Sequence, residues 1–250
     1  MTTLDFFERK NSAQKISMVT CYDSTFAGII DRSPIDTILI GDSCAMVMHG
    51  ESTTLPATIE MMESHTRAVR KGAPSKFIVA DMPFLSTRKG KEYAVECAGK
   101  LLVAGANAVK IERISTQSEI IKHIVDSGIP VMAHLGLTPQ FYNTLGGHKR
   151  QGKSEDSAKS ILEEAKLSVE CGCFSVLMEC IPENLAKKIT DEISVATIGI
   201  GCGKYTDGQV LVLQDLLGLS ERAPSFAKKY MDGRDLVLKA LNEYHREVTE

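Results

Sequence analysis

Four acidic residues of this sequence stand directly after short apolar runs: Asp42, Asp81, Glu112 and Glu179. Carboxylates that meet in a small volume repel one another, and at neutral pH a bound cation or shared protons relieve that repulsion. Because carboxylates offer only oxygen ligands, such a group favours a hard ion, Mg²⁺ or Ca²⁺, over zinc. We expect Asp42 and Asp81 to bind one Mg²⁺ per chain directly, and Glu112 to bind it directly or through water.

Polar and basic residues accompany these acids. Ser43 follows Asp42, Lys110 lies two positions before Glu112, and His134 ends another apolar run. Residues two apart on a strand point to the same side, so Lys110 is expected to face the acids. Ser43 and Lys110 are candidates for binding a substrate carboxylate, and His134 for acid–base work. A structural role is the alternative for each: helix caps for the acids, an ion pair for Lys110, and a core imidazole for His134.

Eight short apolar runs, separated by amphipathic stretches, must position these residues. Nearly continuous apolar runs are typical of parallel strands buried on both faces. The runs are residues 15–21, 36–41, 76–80, 107–111, 129–133, 174–178, 195–200 and 209–213. Between them, apolar residues recur at helical spacing over 58–69 and 158–169.

Eight strand–helix units in 250 residues predict an α/β fold, the closed (β/α)₈ or TIM barrel. An open doubly wound sheet is the alternative, but the glycine-rich segment 199–204 has Lys204 in the place of a dinucleotide fingerprint's third glycine. We expect one domain over 1–250, with segments of about 1–14 and 222–250 packing on the barrel. Thr116 and Glu119 are spaced as a capping box and predict a helix start at that point.

Composition narrows the class of protein. Apolar residues make up 43% and charged residues 24%, and the formal net charge of −3 provides no basic field for nucleic acid or for an anionic membrane. No apolar run approaches the length of a membrane span. The seven cysteines are scattered and odd in number, which favours reduced thiols and a cytoplasmic location.

Segments that contain these acids resemble the ketopantoate hydroxymethyltransferase family. The resemblance extends from about Lys15 to about Tyr230, and many ordered matches are more specific than a single motif. The matching segments are Val19–Asp23, Gly41–Ser43, Thr53–Pro56, Thr66–Pro74, Ala80–Phe84, Ala104–Glu112, His134–Gln140, Glu179–Pro182 and Thr206–Val212.

The resemblance implies a TIM barrel of the phosphoenolpyruvate-binding type, assembled as a homodecamer. It implies transfer of a one-carbon unit from 5,10-methylenetetrahydrofolate to 3-methyl-2-oxobutanoate, giving 2-dehydropantoate on the route to pantothenate and coenzyme A. Mg²⁺ would stabilise the enolate of the 2-oxo acid, and Glu179 matches the general base of the family. Residues that match its substrate and metal positions are Asp42, Ser43, Asp81, Lys110 and Glu112.

Two other functions remain open at this point. One is another Mg²⁺-dependent lyase or mutase of the same barrel group, acting on 2-oxo acids or enol phosphates. The other is a relative that only binds or assembles, although such proteins usually lose acids from the cluster and none is missing here.

The chain also departs from the family pattern near the expected barrel mouth. The departures are Cys44, Ala45, His49, Arg113 and Cys202, and farther away Ser225. They bear on the pocket of the second substrate, because Arg113 adds bulk and charge where glycine is expected. Lys149 and Arg150, in the glycine-rich basic segment 146–153, are candidates for attracting the anionic glutamyl tail of the folate.

Overall fold

The computed structural model describes all residues from Met1 to Glu250. The chain divides into two compact units, Met1–Val210 and Leu211–Glu250. The single domain expected over 1–250, with its terminal segments packing on the barrel, stays a prediction.

Eight parallel strands form a closed barrel in the order β1 to β8. Closure places the Ile16 backbone N–H 2.9 Å from the Asp207 carbonyl oxygen. The TIM barrel is therefore confirmed, and the open sheet was the wrong alternative. Each predicted run overlaps its strand, and the two agree to within three residues at either end. The strands are β1 Ile16–Thr20, β2 Thr37–Ile40, β3 Phe77–Asp81, β4 Ala108–Glu112, β5 Val131–Gly136, β6 Ser175–Glu179, β7 Ala196–Ile200 and β8 Gly208–Leu211.

Eleven α-helices accompany the strands. Both helices expected from apolar spacing are present, and Thr58 caps the first of them by accepting a hydrogen bond from the Met61 backbone N–H. The helices are α1 Thr3–Asn11, α2 Ser24–Asp31, α3 Cys44–Val47, α4 Ile59–Gly72, α5 Lys91–Ala104, α6 Ser118–Asp126, α7 Tyr142–Leu145, α8 Glu155–Glu170, α9 Glu183–Glu192, α10 Leu213–Leu216 and α11 Gly233–Thr249.

The barrel core is built from strand side chains together with one residue of α1. Phe6 is fully buried, and its ring centre lies 5.4 Å from that of Phe77 and 5.0 Å from that of Phe174. Alternate strand residues such as Met18 and Val79 belong to the same buried cluster. Apolar packing thus fills the barrel interior below the strand ends.

The predicted capping box at Thr116 is wrong. Thr116 ends a 3₁₀ turn, Ile114–Thr116, and α6 begins later, at Ser118. The Thr116 hydroxyl accepts from Arg88 and donates to the Arg113 carbonyl instead of capping the helix. Competing partners within the loop therefore decided the role of this hydroxyl.

The second unit is dominated by α11. Every residue of α11 after Gly233 is exposed. One apolar stripe runs along α11, formed at helical spacing by Val237, Leu241, Tyr244 and Val248.

None of the helices combines the length and the apolar character that a membrane span requires.

Candidate active site

Strand alternation brings five predicted residues to the inside of the barrel at its carboxyl end. Side chains along a strand alternate between two faces, so these five residues face the same way as core residues two or four positions earlier. They are Asp81, Lys110, Glu112, His134 and Glu179. The strand register pairs Asp81 with Lys110 and Glu112 with His134, and it places Glu179 beside Gly136. The predicted convergence of these side chains is therefore present.

Asp42 joins the cluster through the turn after β2. Its backbone N–H donates to Asp81 Oδ2 at 3.0 Å. Gly41 leaves room for the Ser43 side chain, because a Cβ atom at position 41 would lie 2.5 Å from Ser43 Oγ. The turn thus places the Asp42 and Ser43 side chains at the same mouth as the Asp81 carboxylate.

Two residues to which sequence reasoning gave no role complete the polar network. The Gln140 side-chain amide donates to Asp42 Oδ2 at 2.8 Å, and its backbone N–H donates to Glu112 Oε2 at 3.1 Å. The hydroxyl of the buried Tyr22 lies 2.8 Å from Ser43 Oγ. Both residues lie just past strand ends in segments that match the family, so that position was the available signal.

Lys110 is the basic centre of the cluster. Its ammonium nitrogen lies 3.0 Å from Asp81 Oδ1 and 3.0 Å from His134 Nδ1. Burial lowers the pKa of Lys110, but Asp81, Glu112 and Asp42 outweigh burial and leave this pKa above its ordinary value. Lys110 therefore stays charged, and the pairing weighed as an alternative to substrate binding is present.

His134 is a buried imidazole that contacts three charged groups. Burial, and then the charge of Lys110, lower the pKa of His134. Its Nδ1 lies 3.0 Å from the Lys110 ammonium nitrogen and 3.2 Å from Glu112 Oε1. Nε2 faces Glu179 Oε2 at 3.3 Å. The imidazole thereby connects Lys110 to Glu179.

Glu179 differs from the other site acids in being accessible. About a fifth of its side chain is exposed (19%), whereas Asp42, Asp81 and Glu112 are each 2–3% exposed. Gly136 lies beside it with a φ of +88°, and a side chain at Gly136 would clash with the Glu179 carbonyl oxygen. This arrangement leaves one acid able to reach a substrate from the mouth.

The buried acids carry unbalanced negative charge. Burial, and then Asp81 and Glu112, raise the pKa of Asp42 well above its ordinary value. Burial also raises the pKa of Glu112 to about 8, although Lys110 opposes that rise. One ammonium group therefore does not neutralise this cluster, which has the electrostatic character of a cation site.

The basic segment lies apart from this network. Lys149 and Arg150 are exposed, and no ion pair involves either residue. The following residue, Gln151, donates its backbone N–H to the Cys180 carbonyl, which lies just after β6. The segment therefore borders the strand ends on the β6 side.

Residues that depart from the family pattern lie in several environments. Cys44, Ala45 and Cys202 are buried. His49 is exposed, and its Nε2 lies 3.2 Å from His65 Nε2. Arg113 has a φ of +58°, a conformation that glycine adopts readily and that explains why glycine suits this position.

Known structures with the same architecture include a putative phosphonomutase from Burkholderia cenocepacia. It has a TM-score of 0.67 at 11% identity, and the match covers 87% of this chain and 93% of that chain. A phosphonopyruvate hydrolase in complex with oxalate and Mg²⁺ also has a TM-score of 0.67, at 10% identity, covering 99% of this chain and 87% of that chain. A third neighbour is 2,3-dimethylmalate lyase, which is described as a member of the PEP mutase/isocitrate lyase superfamily. Its TM-score is 0.62 at 13% identity, and the match covers 98% of this chain and 87% of that chain. These similarities support the closed (β/α)₈ barrel fold.

Sequence relatives are much closer. A 3-methyl-2-oxobutanoate hydroxymethyltransferase from Bdellovibrio bacteriovorus is 52% identical over 249 residues, which are 99% of this chain and 95% of the relative. The enzyme of the same name from Coxiella burnetii is 52% identical over 250 residues, which are 99% and 94% of the two chains. The model of the family described as ketopantoate hydroxymethyltransferase matches residues 1–250. The chain therefore belongs to the ketopantoate hydroxymethyltransferase family.

Proposed function

We propose that this enzyme transfers a hydroxymethyl group from 5,10-methylenetetrahydrofolate to 3-methyl-2-oxobutanoate, giving 2-dehydropantoate for pantothenate and coenzyme A synthesis. The names of the relatives and of the family support this acceptor and this type of transfer. Within the site, one observation carries the proposal: a partly exposed glutamate, Glu179, stands beside a buried cluster of acids. Removing a proton beside a ketone requires both a base and a means of stabilising negative charge.

The buried acids fit one Mg²⁺ ion. Asp42 and Asp81 are adjacent, buried and short of positive charge, and Glu112 Oε1 has no hydrogen bond, although His134 Nδ1 lies 3.2 Å from it. No three His, Cys, Asp or Glu side chains converge closely enough to hold a metal on their own, so water and substrate oxygens would complete the coordination. We therefore assign Asp42 and Asp81 as direct ligands and Glu112 as a ligand through water, since Mg²⁺ is commonly held by one or two carboxylates together with water and substrate oxygens.

The 2-oxo acid is expected to bind over these residues. Bound Mg²⁺ would supply Lewis-acid polarisation of the ketone beside the carbon that loses its proton. The Ser43 hydroxyl, oriented by Tyr22, provides a hydrogen bond to the substrate carboxylate. Lys110 contributes positive charge from within the cluster, and His134 directs Nε2 toward Glu179.

Glu179 accepts the proton from carbon 3 of the acid. Its Oε2 faces His134, which leaves Oε1 to take the proton. Carbon 3 then bonds to the methylene carbon of the donor as one of the two carbon–nitrogen bonds breaks, and the oxygen of a water molecule bonds to the same carbon as the second one breaks. Of the two folate nitrogens released, one takes the proton held by Glu179 and the other takes a proton from that water. The products are 2-dehydropantoate and tetrahydrofolate, so atoms and charge balance.

Further parts of the proposal concern the folate tail, assembly and location. Lys149 and Arg150 are exposed at the mouth and suit long-range attraction of glutamyl carboxylates. The apolar stripe on α11 suits burial in a homo-oligomer, with a decamer as the expected state. All seven cysteines are free thiols, which suits the reducing cytoplasm.

A product assay tests the reaction itself. Purified protein, Mg²⁺, 3-methyl-2-oxobutanoate and 5,10-methylenetetrahydrofolate should give 2-dehydropantoate by mass spectrometry, and omitting the donor or adding EDTA should abolish the product. Phosphonopyruvate and 2,3-dimethylmalate serve as substrates of the rival reactions. Turnover of either of these without folate, and none with the proposed pair, would contradict the proposal.

A further inference from the structure

Two arginines that form no ion pair meet a phenylalanine at the barrel mouth. Arg88 lies in the loop after β3, Arg113 follows β4, and Phe141 ends the 3₁₀ turn Pro139–Phe141 after β5. The guanidinium carbons of Arg113 and Arg88 lie 4.9 and 5.8 Å from the centre of the Phe141 ring. Every ion pair of the structure joins other residues. Arg88 and Arg113 are called the arginine pair below.

The surrounding loop holds the arginine pair together. Arg88 donates from Nη2 to Thr116 Oγ1 at 2.9 Å, and the same hydroxyl donates to the Arg113 carbonyl at 3.3 Å. Burial, and then the charge of Arg113, lower the pKa of Arg88. Two like charges fixed against each other, neither of them in an ion pair, create a field that attracts an anion, although Glu112 offsets part of the Arg113 charge.

Two further features of Arg113 suggest that it binds a ligand: its backbone conformation and its buried Nε atom. Its backbone has a φ of 58° and a ψ of 72°, a left-handed conformation that is unfavourable for a residue with a side chain. Its Nε atom is buried and has no hydrogen-bond acceptor. A buried donor without an acceptor is costly, and backbone strain of this kind clusters at ligand-binding positions. Both features would be offset if a ligand supplied the acceptor.

Phe141 orients the guanidinium groups and also connects them to the candidate active site. A guanidinium held against an aromatic ring keeps its in-plane N–H groups available, and these match the two oxygens of a carboxylate. The residue before Phe141 is Gln140, whose side chain donates to Asp42. The arginine pair therefore borders the space where a second substrate must approach the 2-oxo acid.

We infer that the arginine pair binds a carboxylate at the glutamyl end of the folate donor, with Phe141 holding both guanidinium groups. This inference rests on the proposed function and specifies how its second substrate is recognised. It assigns short-range, directional contact to partly buried arginines, whereas the exposed Lys149 and Arg150 act over distance. The other source of a carboxylate at this place is a second acidic group on a dicarboxylic 2-oxo acid.

Binding of fragments tests the inference without turnover. The probes are p-aminobenzoylglutamate and p-aminobenzamide, which share an aryl amide and differ in the glutamyl carboxylates. Titrations followed by NMR on the intact protein should show that the wild type binds the glutamate fragment about tenfold or more tightly than the amide. Arg88→Gln combined with Arg113→Gln should remove that preference, and the two Arg→Lys changes should restore part of it.

Two variants keep the test decisive. Arg113→Gly suits the left-handed backbone, so it should fold and still weaken binding of the glutamate fragment. Lys71→Gln with Lys159→Gln, at exposed positions of α4 and α8, serves as the matched control and should keep the preference.

Three results would overturn the inference. One is a wild type without the preference, and another is an arginine-pair variant that keeps it. The third is a variant that loses binding of 2-oxoglutarate but not of the glutamate fragment, because the carboxylate would then belong to a 2-oxo acid. A wild type that shows the preference but forms no 2-dehydropantoate would instead contradict the proposed function alone.

Discussion

At the scale of single residues, the site separates the buried acids from the accessible one. Asp42 and Asp81 have almost no exposed surface and share a hydrogen bond through the Asp42 backbone, which fits them for a cation. Glu179 is partly exposed and is oriented by the buried His134, which fits it for proton transfer. Chemically similar carboxyl groups thus receive different roles from their surroundings.

Replacing the two buried aspartates tests the cation assignment. Asp42→Asn and Asp81→Asn should each weaken Mg²⁺ binding by about tenfold or more, because each removes one charged oxygen ligand while keeping the shape. Isothermal titration calorimetry measures the affinity, and Asp126→Asn on the exposed end of α6 is the control. Unchanged Mg²⁺ affinity in both site variants would remove these residues from the metal site.

At the scale of elements, the sequence predicts the strands, whose pattern is periodic, and misses loop conformations, which have no period. Strand alternation is periodic, so it places Asp81, Glu112 and Glu179 correctly once eight strands are recognised. Gln140 lies in a 3₁₀ turn whose conformation has no period, and its contacts with Asp42 and Glu112 depend on that turn. Loop geometry of this kind depends on tertiary partners that spacing alone does not reveal.

The loop after β4 shows the same limit. A capping box predicts a helix start from Thr116, yet the left-handed Arg113 turns the chain into a short 3₁₀ segment first. The side chain of Gln117 then donates to the Glu112 carbonyl at 2.6 Å and accepts from Thr87 at 2.7 Å. Contacts between neighbouring loops therefore outweigh the local capping signal.

The basic segment after β5 provides a prediction at this scale. Lys149→Gln with Arg150→Gln should raise KM for the folate severalfold at low salt, because two exposed positive charges are lost. The effect should shrink at high salt, and KM for the 2-oxo acid should barely change. Steady-state kinetics at two salt concentrations would decide this, and equal effects on both substrates would leave the segment as an ordinary solvated loop.

Helix α1 provides a prediction about stability. Phe6→Ala should lower the free energy of unfolding by about 3–5 kcal/mol, because it removes a fully buried ring packed against Phe77 and Phe174. Urea denaturation measures the change, and Phe7→Ala on the exposed side of α1 should cost much less. Similar losses in both variants would contradict the packing described for α1.

At the scale of the whole molecule, we predict assembly from the apolar stripe on α11. The residues of this stripe are half to two-thirds exposed. Monomeric proteins rarely leave a large contiguous apolar patch uncovered, and such patches mark interaction sites. Multi-angle light scattering should give a mass of about ten times the 27.3 kDa chain if the decamer forms. Leu241→Asp with Tyr244→Asp should lower that mass, whereas Lys239→Glu on the same helix should not. A wild-type mass of one chain would refute assembly.

The central claim is that Glu179 removes the proton beside the ketone of 3-methyl-2-oxobutanoate. Proton NMR in deuterated water, with Mg²⁺ and without folate, follows the carbon-3 proton directly. We expect the wild type to exchange this proton and Glu179→Gln to exchange it at least about a hundredfold more slowly. Glutamine keeps the shape of the side chain but cannot act as the base. Exchange by Glu179→Gln at the wild-type rate would contradict the account, because another residue would then be the base.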